Sequence, residues 1–185
     1  MVLWIDICTF PQKFKIMRIA FIAAALFLTG IAVHAQKLNI DLDKAEVSFV
    51  FVGDQTKGTV SGLKCEILFD PMDLSKASIS GTIDASTLTT GNKARDKHLS
   101  ASDFFHVEKY PVMKFESNEV VKEGKEYLMN GSLTIKDTTE PCSIRFTYAD
   151  GVFLGKTAID AKKYGVSPGK KEGTVQVTFL SLIHI

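Results

Sequence analysis

Side chains that could carry out acid–base chemistry are concentrated in one stretch, TTGNKARDKHLSASDFFHVEKYP, residues 89–111. Its acidic, histidine and arginine residues are Arg95, Asp96, His98, Asp103, His106 and Glu108. A histidine beside a carboxylate can act as a general base whose orientation the carboxylate fixes. His98 with Asp96, or His106 with Asp103 and Glu108, would supply such an arrangement. A catalytic centre in this stretch is therefore one hypothesis.

Other signals of catalysis or metal binding do not accompany this stretch. The sequence contains no G-x-S-x-G nucleophile elbow, and Cys65 and Cys142 lie in strand-like segments. His98 and His106 are eight residues apart, without the compact spacing of H-E-x-x-H or C-x-x-C motifs. We therefore predict no catalytic residue, no metal site and no required cofactor.

A structural interpretation accounts for more of these residues. Residues 90–99 lack strand alternation and contain good helix formers, which predicts a short helix. Asn92, or one of the two threonines before Gly91, could cap it. The guanidinium of Arg95 could tie backbone carbonyls or a nearby carboxylate, that of Asp96 or Asp103. The stretch would then act as a latch that closes one end of the fold, and its predicted members are Asn92, Arg95, Asp96, His98 and Tyr110.

The residues after the helix are expected to join it to the rest of the fold. His98 could bond the backbone of the following loop. Phe104 and Phe105 point in neighbouring directions, so one could fill the core while the other covers the helix. Tyr110 precedes a proline, which restricts its backbone and fixes the entry to the next strand. The latch could also serve as a lid beside a ligand entrance.

Most of the remaining chain alternates apolar and polar residues with the period of β-strands. Eight such segments, separated by turn residues, occupy residues 45–53, 65–70, 78–84, 111–117, 127–136, 142–148, 152–160 and 173–179. Short strands at regular spacing are typical of an antiparallel sandwich or barrel. The inner faces are rich in Phe, and a small barrel either fills its interior with such side chains or holds one ligand.

The first 35 residues are not expected to belong to the domain. Arg18, an apolar run over 19–28 and the small-x-small ending at Ala35 are typical of a secretory signal peptide over 17–35. We interpret residues 1–16 as an upstream extension and 36–185 as a single domain in the periplasm or outside the cell. Export permits a disulfide between Cys65 and Cys142, but two free thiols are the favoured interpretation.

The charge balance does not favour nucleic acid as a partner. Residues 36–185 contain 19 of the chain's 22 basic and 20 of its 21 acidic residues. Affinity for a phosphate backbone needs clustered positive charge, and the short basic run KKYGVSPGKK is interpreted as a solvated loop.

The order of motifs resembles that of the YceI-like proteins. GTIDASTLTTGNKARDKHLSASDFFHVEKYPVMKF, residues 81–115, contains the family's T-G-N-x-x-R-D-x-H-L and D-F-F-x-V-x-x-Y-P segments. GSLTIKDTTEPCSI, residues 131–144, is similar to the next family element, with Asp137 where Gly is usual. IDAKKYGV, residues 159–166, has Ala161 in place of the usual Arg.

This resemblance implies a fold and a ligand. The fold would be an antiparallel, lipocalin-like β-barrel of about eight strands, closed at one end by the short helix around 90–99. The ligand would be a polyisoprenoid, such as a polyprenyl lipid or an isoprenoid quinone, held in an apolar tunnel in the periplasm. The expected lining residues are Phe49, Phe51, Ile67, Phe69, Ile79, Ile83, Phe104, Met113, Phe115, Leu133, Ile135, Phe146 and Val177.

Two other functions stay open at this stage. One is an enzyme that acts on a lipid through His98 and the nearby acids. The other is a filled barrel that serves as a structural or stress module. Transient contact with the membrane or with a membrane redox protein, and formation of a dimer, are further hypotheses about partners.

Overall fold

The computed structural model describes residues 37–40, 45–166 and 173–184. The predicted upstream extension and signal peptide, residues 1–35, lie outside these ranges. The described residues form ten β-strands, one α-helix and three short 3₁₀ helices. None of the helices within these ranges is long and apolar enough to cross a bilayer.

The elements follow one another in a simple order. The strands are β1 (Lys37–Ile40), β2 (Glu46–Phe51), β3 (Thr56–Val60), β4 (Lys64–Leu68), β5 (Ser78–Asp84), β6 (Val112–Glu123), β7 (Glu126–Ile135), β8 (Thr138–Ala149), β9 (Val152–Asp160) and β10 (Thr174–His184). The α-helix, α1, spans Lys93–Ser100, and the 3₁₀ helices span Leu74–Lys76, Ala85–Thr87 and Ala161–Tyr164.

The strands form one antiparallel sheet that closes on itself. Their order is β1-β4-β5-β6-β7-β8-β9-β10-β2-β3. β1 pairs with β4, where Leu38 faces Ile67, and also with β10, where Ile40 faces Ile183. This double pairing joins distant strands of the order into a barrel. The predicted all-β antiparallel barrel with a short helix is confirmed, with ten strands rather than about eight.

Strands β6 and β7 pair closely because of one glycine. Gly131 of β7 faces Ser117, where the register of β6 shifts by a bulge. A Cβ atom on Gly131 would collide with the Glu116 carbonyl and lie 2.7 Å from the ring of Phe115. The absent side chain therefore leaves room beside β7 for the Phe115 ring and the Glu116 carbonyl.

The interior holds two packed clusters, one towards each end of the barrel. The first, which we call the floor cluster, contains Leu38, Ile67, Phe69, Ile79, Val120, Tyr127, Met129, Phe146 and Phe153. The second, the latch-side cluster, contains Ile135, Ala161, Tyr164 and Val166, with Phe104, Phe105, Met113, Leu133, Ile159 and Val175 packed against it. The space between the clusters is the candidate site.

Candidate ligand cavity

An apolar cavity of about 460 Å³ lies inside the barrel. Its lining reaches from Met129 and Phe153 of the floor cluster to Arg95, His98 and Leu99 of α1. This volume falls within the range of roughly 300–1,000 Å³ that is usual for small-molecule sites. Inward-facing residues of successive strands supply most of the lining, as barrel alternation requires.

Most of the lining residues expected from the sequence face this cavity. They are Phe49, Phe51, Ile67, Ile79, Ile83, Phe104, Met113, Phe115, Leu133, Ile135 and Val177. They come from six strands and from the loop after α1, so segments far apart in sequence meet around one space. Whether they contact a ligand stays a prediction.

Phe69 and Phe146 lie elsewhere than expected. Each is 1% exposed and belongs to the packed floor cluster instead of the cavity lining. Phe69 contacts Phe146 edge-on at 5.6 Å and Tyr127 edge-on at 5.1 Å between ring centroids. The ring of Phe146 stacks on Phe153 at 4.3 Å. These contacts fill the space behind the cavity with aromatic rings.

Several lining residues were missed in the sequence interpretation. Val47, Val60, Leu63, Leu88, Leu99, Phe105, Met129, Ile144, Phe153, Ile159, Val166, Val175 and Phe179 also face the cavity. Ile144, Phe153, Val175 and Phe179 alternate within predicted strands, so their pattern could have identified them. Leu63, Leu88 and Leu99 lie outside strands, where no periodic signal marks the inner face.

Cys65 and Cys142, the two cysteines among the described residues, line the cavity as free thiols. Burial raises the pKa of Cys65 to about 12, with the charge of Glu66 adding to the effect. Burial also raises the pKa of Cys142, whose sulfur lies 3.7 Å from the Thr157 hydroxyl. Because the thiolate is the reactive form, both groups act here as small apolar parts of the wall.

Arg95 forms the polar edge of the cavity at the α1 end. Its Nε donates to the Thr90 hydroxyl at 2.8 Å, and Nη2 donates to the Thr90 carbonyl at 3.3 Å. Nη1 donates to the Thr56 hydroxyl of β3 at 3.2 Å. The carbonyl contact was expected, but the hydrogen bonds of Arg95 go to neutral oxygens and not to the carboxylates of Asp96 or Asp103. Arg95 therefore links α1 to β3 across the cavity edge.

Asp96 and Asn92 fix the start of α1. The Asn92 side-chain oxygen accepts from the backbone amides of Ala94 and Arg95, both at 3.1 Å, so Asn92 is the predicted cap. Asp96 accepts from the Thr90 amide at 2.8 Å and from the Thr90 hydroxyl at 2.5 Å. These bonds, led by the Thr90 hydroxyl, hold the pKa of Asp96 below its usual value of 3.8.

His98 bonds a side chain rather than the backbone expected for it. Its Nε2 lies 2.9 Å from a carboxylate oxygen of Asp103, in the loop after α1, and both side chains are mostly exposed. The imidazole also contacts Phe104 edge-on at 4.7 Å, and both rings face the cavity. Phe105 lines the cavity as well, so neither phenylalanine serves only to cover the helix.

Tyr110 links the end of the latch to the hairpin of β7 and β8. Its hydroxyl donates to Asp137 at 3.0 Å, in the turn between β7 and β8. This bond lowers the pKa of Asp137. The departure from the family's usual glycine at this position therefore supplies the acceptor for Tyr110.

The cavity is lined mainly by apolar side chains, and polar side chains border it at the α1 end. Within the described ranges, no three His, Cys, Asp or Glu side chains come together as a metal site would require. His98, which lines the cavity, forms a histidine–carboxylate pair with Asp103. The arrangement can enclose an apolar chain and can offer hydrogen bonds to a polar group at the α1 end.

Comparisons with known proteins agree on one family. Residues 38–180 match the model of the YceI-like domain. The chain is 33% identical over 127 residues to UPF0312 protein plu2095 of Photorhabdus laumondii and to protein YceI of Salmonella arizonae. These alignments cover 64% and 66% of this chain, and 65% and 66% of the two relatives. The chain thus spans just under two-thirds of the length of these curated relatives.

Solved structures share the fold. BcnA of Burkholderia cenocepacia has a TM-score of 0.74 at 26% identity, over 80% of this chain and 100% of BcnA. The YceI protein of Campylobacter jejuni has a TM-score of 0.59 at 21% identity, over 70% of this chain and 85% of its own. A polyisoprenoid binding domain from Saccharophagus degradans has a TM-score of 0.59 at 14% identity, over 82% and 98%. At such low identity, the last two show likeness of fold alone.

Proposed function

This chain belongs to the YceI-like family, and on that premise we propose that it binds the apolar chain of an isoprenoid lipid without converting it. The ligand class includes polyprenyl lipids and isoprenoid quinones. The binding site is the barrel cavity, in which the lipid is held away from water. A similar fold in Saccharophagus degradans is a polyisoprenoid binding domain, which supports this choice of ligand.

The apolar cavity is the observation that carries the proposal. A lipid tail needs an enclosed apolar lining, because burial is worth roughly 25 cal/mol per Å² of apolar surface removed from water. The lining of Phe, Ile, Val, Leu and Met side chains supplies such a surface. A filled barrel would lack this space, so the cavity favours binding over a purely structural module.

The distribution of polar groups supports one orientation of the ligand. The floor cluster presents apolar and aromatic side chains, whereas Arg95, Thr90 and His98 border the cavity at the α1 end. An isoprenoid would therefore place its tail towards the floor cluster and its polar end towards α1. The latch would lie beside the entrance, as a lid does.

Export to the periplasm is part of the proposal. Its support is the signal-peptide pattern over residues 17–35, with cleavage near Ala35. A periplasmic lipid binder would act either as a carrier or as a store. A carrier must exchange its ligand, so transient contact with the membrane or with a membrane redox protein belongs to that version of the proposal.

Native mass spectrometry of the exported protein tests the proposal. The full chain is produced in a Gram-negative host, purified from the periplasm and examined before and after organic extraction. We expect an adduct that extracts as a polyisoprenoid or a quinone. A mass equal to the bare polypeptide, together with no uptake of added geranylgeraniol or ubiquinone, would refute the proposal.

A matched pair of variants makes this test specific to the cavity. Val177→Trp places a large ring in the cavity, whereas Gln176→Trp places the same ring on the outer face of the same strand. We expect the adduct to disappear in the first variant and to persist in the second. Equal loss in both would point to a surface effect.

The histidine–carboxylate pair at the cavity edge keeps an enzymatic alternative testable. His98 and Asp103 are in hydrogen-bond contact, and His98 lines the cavity. A reproducible conversion of the extracted lipid, lost in a folded His98→Ala variant, would establish the enzyme in place of the binder. Chemically unchanged lipid after prolonged incubation supports binding alone.

A further inference from the structure

We infer that the floor cluster limits the length of the isoprenoid chain that the cavity accepts, and that Phe153 is the side chain that the end of the chain meets. This inference rests on the proposed function and narrows it to isoprenoids of limited length. Side chains of the hydrophobic core would then also determine which chain lengths bind.

The rings behind the cavity form a continuous packed stack. Phe153 stacks on Phe146 at 4.3 Å with an interplanar angle of 20°, and Phe146 stacks on Tyr127 at 5.1 Å with an angle of 18°. Phe69 contacts Tyr127 and Phe146 edge-on, which locks the stack from the side. Phe69, Phe146 and Phe153 are each 1% exposed, and we expect a stack packed this closely to block an entering chain.

Phe153 is the member of this stack that also faces the cavity. Phe153 lines it, whereas Phe69, Tyr127 and Phe146 lie behind. Phe179 of β10 lines the same region and contacts Phe153 edge-on at 5.9 Å. A chain that enters from the α1 end therefore stops at the Phe153 ring.

The backbone beside Phe153 leaves room for a substitution that moves the inner end of the cavity. Gly155 lies two residues beyond Phe153 on β9, and a Cβ atom placed there would be 3.8 Å from the Phe153 ring. Replacing Phe153 with alanine would open space beside Gly155 and in front of Phe146. The cavity would deepen without a change in its entrance.

A second position changes the depth in the opposite direction. Val177 of β10 lies between Val175, which packs on the latch-side cluster, and Phe179, which packs on the floor cluster. Val177 lines the cavity at this intermediate depth. Phenylalanine at this position would shorten the cavity, so shorter chains should be favoured.

The consequence for binding is a preference with an upper limit. A chain shorter than the cavity leaves part of the apolar lining without contacts. A longer chain must leave part of its length in water at the α1 end or fold back. Affinity should therefore peak at one chain length and fall on both sides of it.

A competition experiment measures this peak. The full chain is stripped of lipid and mixed with equal amounts of geraniol, farnesol, geranylgeraniol and solanesol, and the bound fractions are read by native mass spectrometry. Wild type should show one preferred length. Phe153→Ala should raise the ratio of the next longer chain to the preferred one on the order of tenfold. Val177→Phe should shift the preference to the next shorter chain.

Two variants on the opposite faces of the same strands serve as controls. Leu154→Ala on β9 and Gln176→Phe on β10 change side-chain size next to the tested positions but outside the cavity lining. Both should keep the wild-type preference. If Phe153→Ala does not fold, Phe153→Leu and Val177→Phe still test the inference with opposite signs.

The outcomes separate this inference from the proposed function. Wild type that binds none of the four alcohols and no ubiquinone overturns the proposed function. Wild type that binds them, with the same preferred length in Phe153→Ala and Val177→Phe, overturns the length limit and leaves the function intact. Opposite shifts in the two variants establish Phe153 as the end of the ligand site.

Discussion

Thr90 is the residue through which the two charged members of the latch act together. Its hydroxyl donates to Asp96 at 2.5 Å and accepts from Arg95 at 2.8 Å. A hydroxyl can do both because it has one donor and two acceptor lone pairs. Charge on each side strengthens both bonds, so the three residues form one connected unit. The same unit reaches β3 through the contact of Arg95 with Thr56.

We predict that Arg95→Ala destabilises the protein more than it changes ligand specificity. The substitution removes three hydrogen bonds at a largely exposed position, so the loss should be about 1 kcal/mol. The melting temperature should fall by roughly 2–4 °C for a domain of this size. Thermal unfolding followed by circular dichroism measures this shift.

Lys97→Ala is the matched control for that substitution. Lys97 lies on the same helix and is also exposed, and the three hydrogen bonds of Arg95 do not involve it. It should melt close to wild type. An Arg95→Ala protein that melts like wild type but no longer binds lipid would show that Arg95 serves binding and not the stability of the fold, contrary to the latch interpretation.

Single residues also show where sequence interpretation reaches its limit. Ile144 and Phe146 lie on the same face of β8, and both alternate with polar residues, so the period predicts both as inward-facing. Ile144 lines the cavity, whereas Phe146 lies in the floor cluster. The alternation identifies the face of a strand but carries no information about depth along the barrel. That depth depends on register between distant strands.

At the scale of elements, α1 is held by its ends rather than by a buried face. The helix has eight residues and none of them is buried. Isolated helices of this length are unstable in water, so the cap and the Asp96 bonds must supply much of its stability. A helix attached in this way can open without disturbing the barrel, which suits a lid beside an entrance.

We predict that Asn92→Ala loosens α1 locally. Loss of an N-cap costs about 1 kcal/mol, which corresponds to roughly fivefold faster amide exchange in a helix that opens independently. Hydrogen–deuterium exchange should therefore rise in residues 93–100 and stay unchanged in β7. Asn92→Asp retains an acceptor at the cap and should restore the wild-type rate. Equal acceleration in β7 would show that the helix and the barrel open together.

The strands that the sequence did not predict contain few apolar residues. β1 has four residues with two apolar side chains, and β3 has five residues, TKGTV, with a glycine at position 58 and Val60 as its one large apolar side chain, so neither shows a clear apolar face. The glycine is needed because a Cβ atom there would collide with the ring of Phe49. β6 was predicted to end at Ser117 but continues to Glu123, because the bulge after Ser117 breaks the period without ending the strand. The missing alternation and the helix formers of residues 90–99, by contrast, did locate α1, whereas the role of the latch stays a prediction.

At the scale of the whole molecule, ionisable groups at the surface and in the cavity limit stability at opposite ends of the pH range. The pKa is lowered in Asp73, Asp84, Asp96, Asp103 and Asp137, mainly because each carboxylate accepts side-chain hydrogen bonds. Four of these five side chains accept bonds within or next to the 3₁₀ helices and α1. The barrel itself is held by apolar packing, which does not depend on the ionisation of side chains.

The sign of the pH dependence follows from these shifts. A carboxyl whose pKa is lowered by folding stabilises the protein above its unfolded pKa, near 3.8, and loses that contribution as the pH falls through the lowered value. A thiol whose pKa is raised by folding stabilises the protein below its unfolded pKa, near 9.0, and loses that contribution as the pH rises towards about 12. Stability should therefore be greatest between about 4 and 9.

Two variants test which groups cause the loss of stability at low pH and at high pH. Asp96→Asn keeps the shape of the side chain but removes its charge, so the variant should be less stable than wild type at neutral pH. That difference should shrink as the pH falls below 3.8, where the wild-type carboxylate also loses its charge. Cys65→Ala should decline less steeply than wild type above pH 9.0, since the buried thiol is gone. Urea unfolding across the pH range measures both differences. A gap between Asp96→Asn and wild type that stays constant from neutral to strongly acidic pH would show that the Asp96 charge does not stabilise the latch, and would leave the Thr90 hydroxyl and Arg95 as the groups that hold it closed.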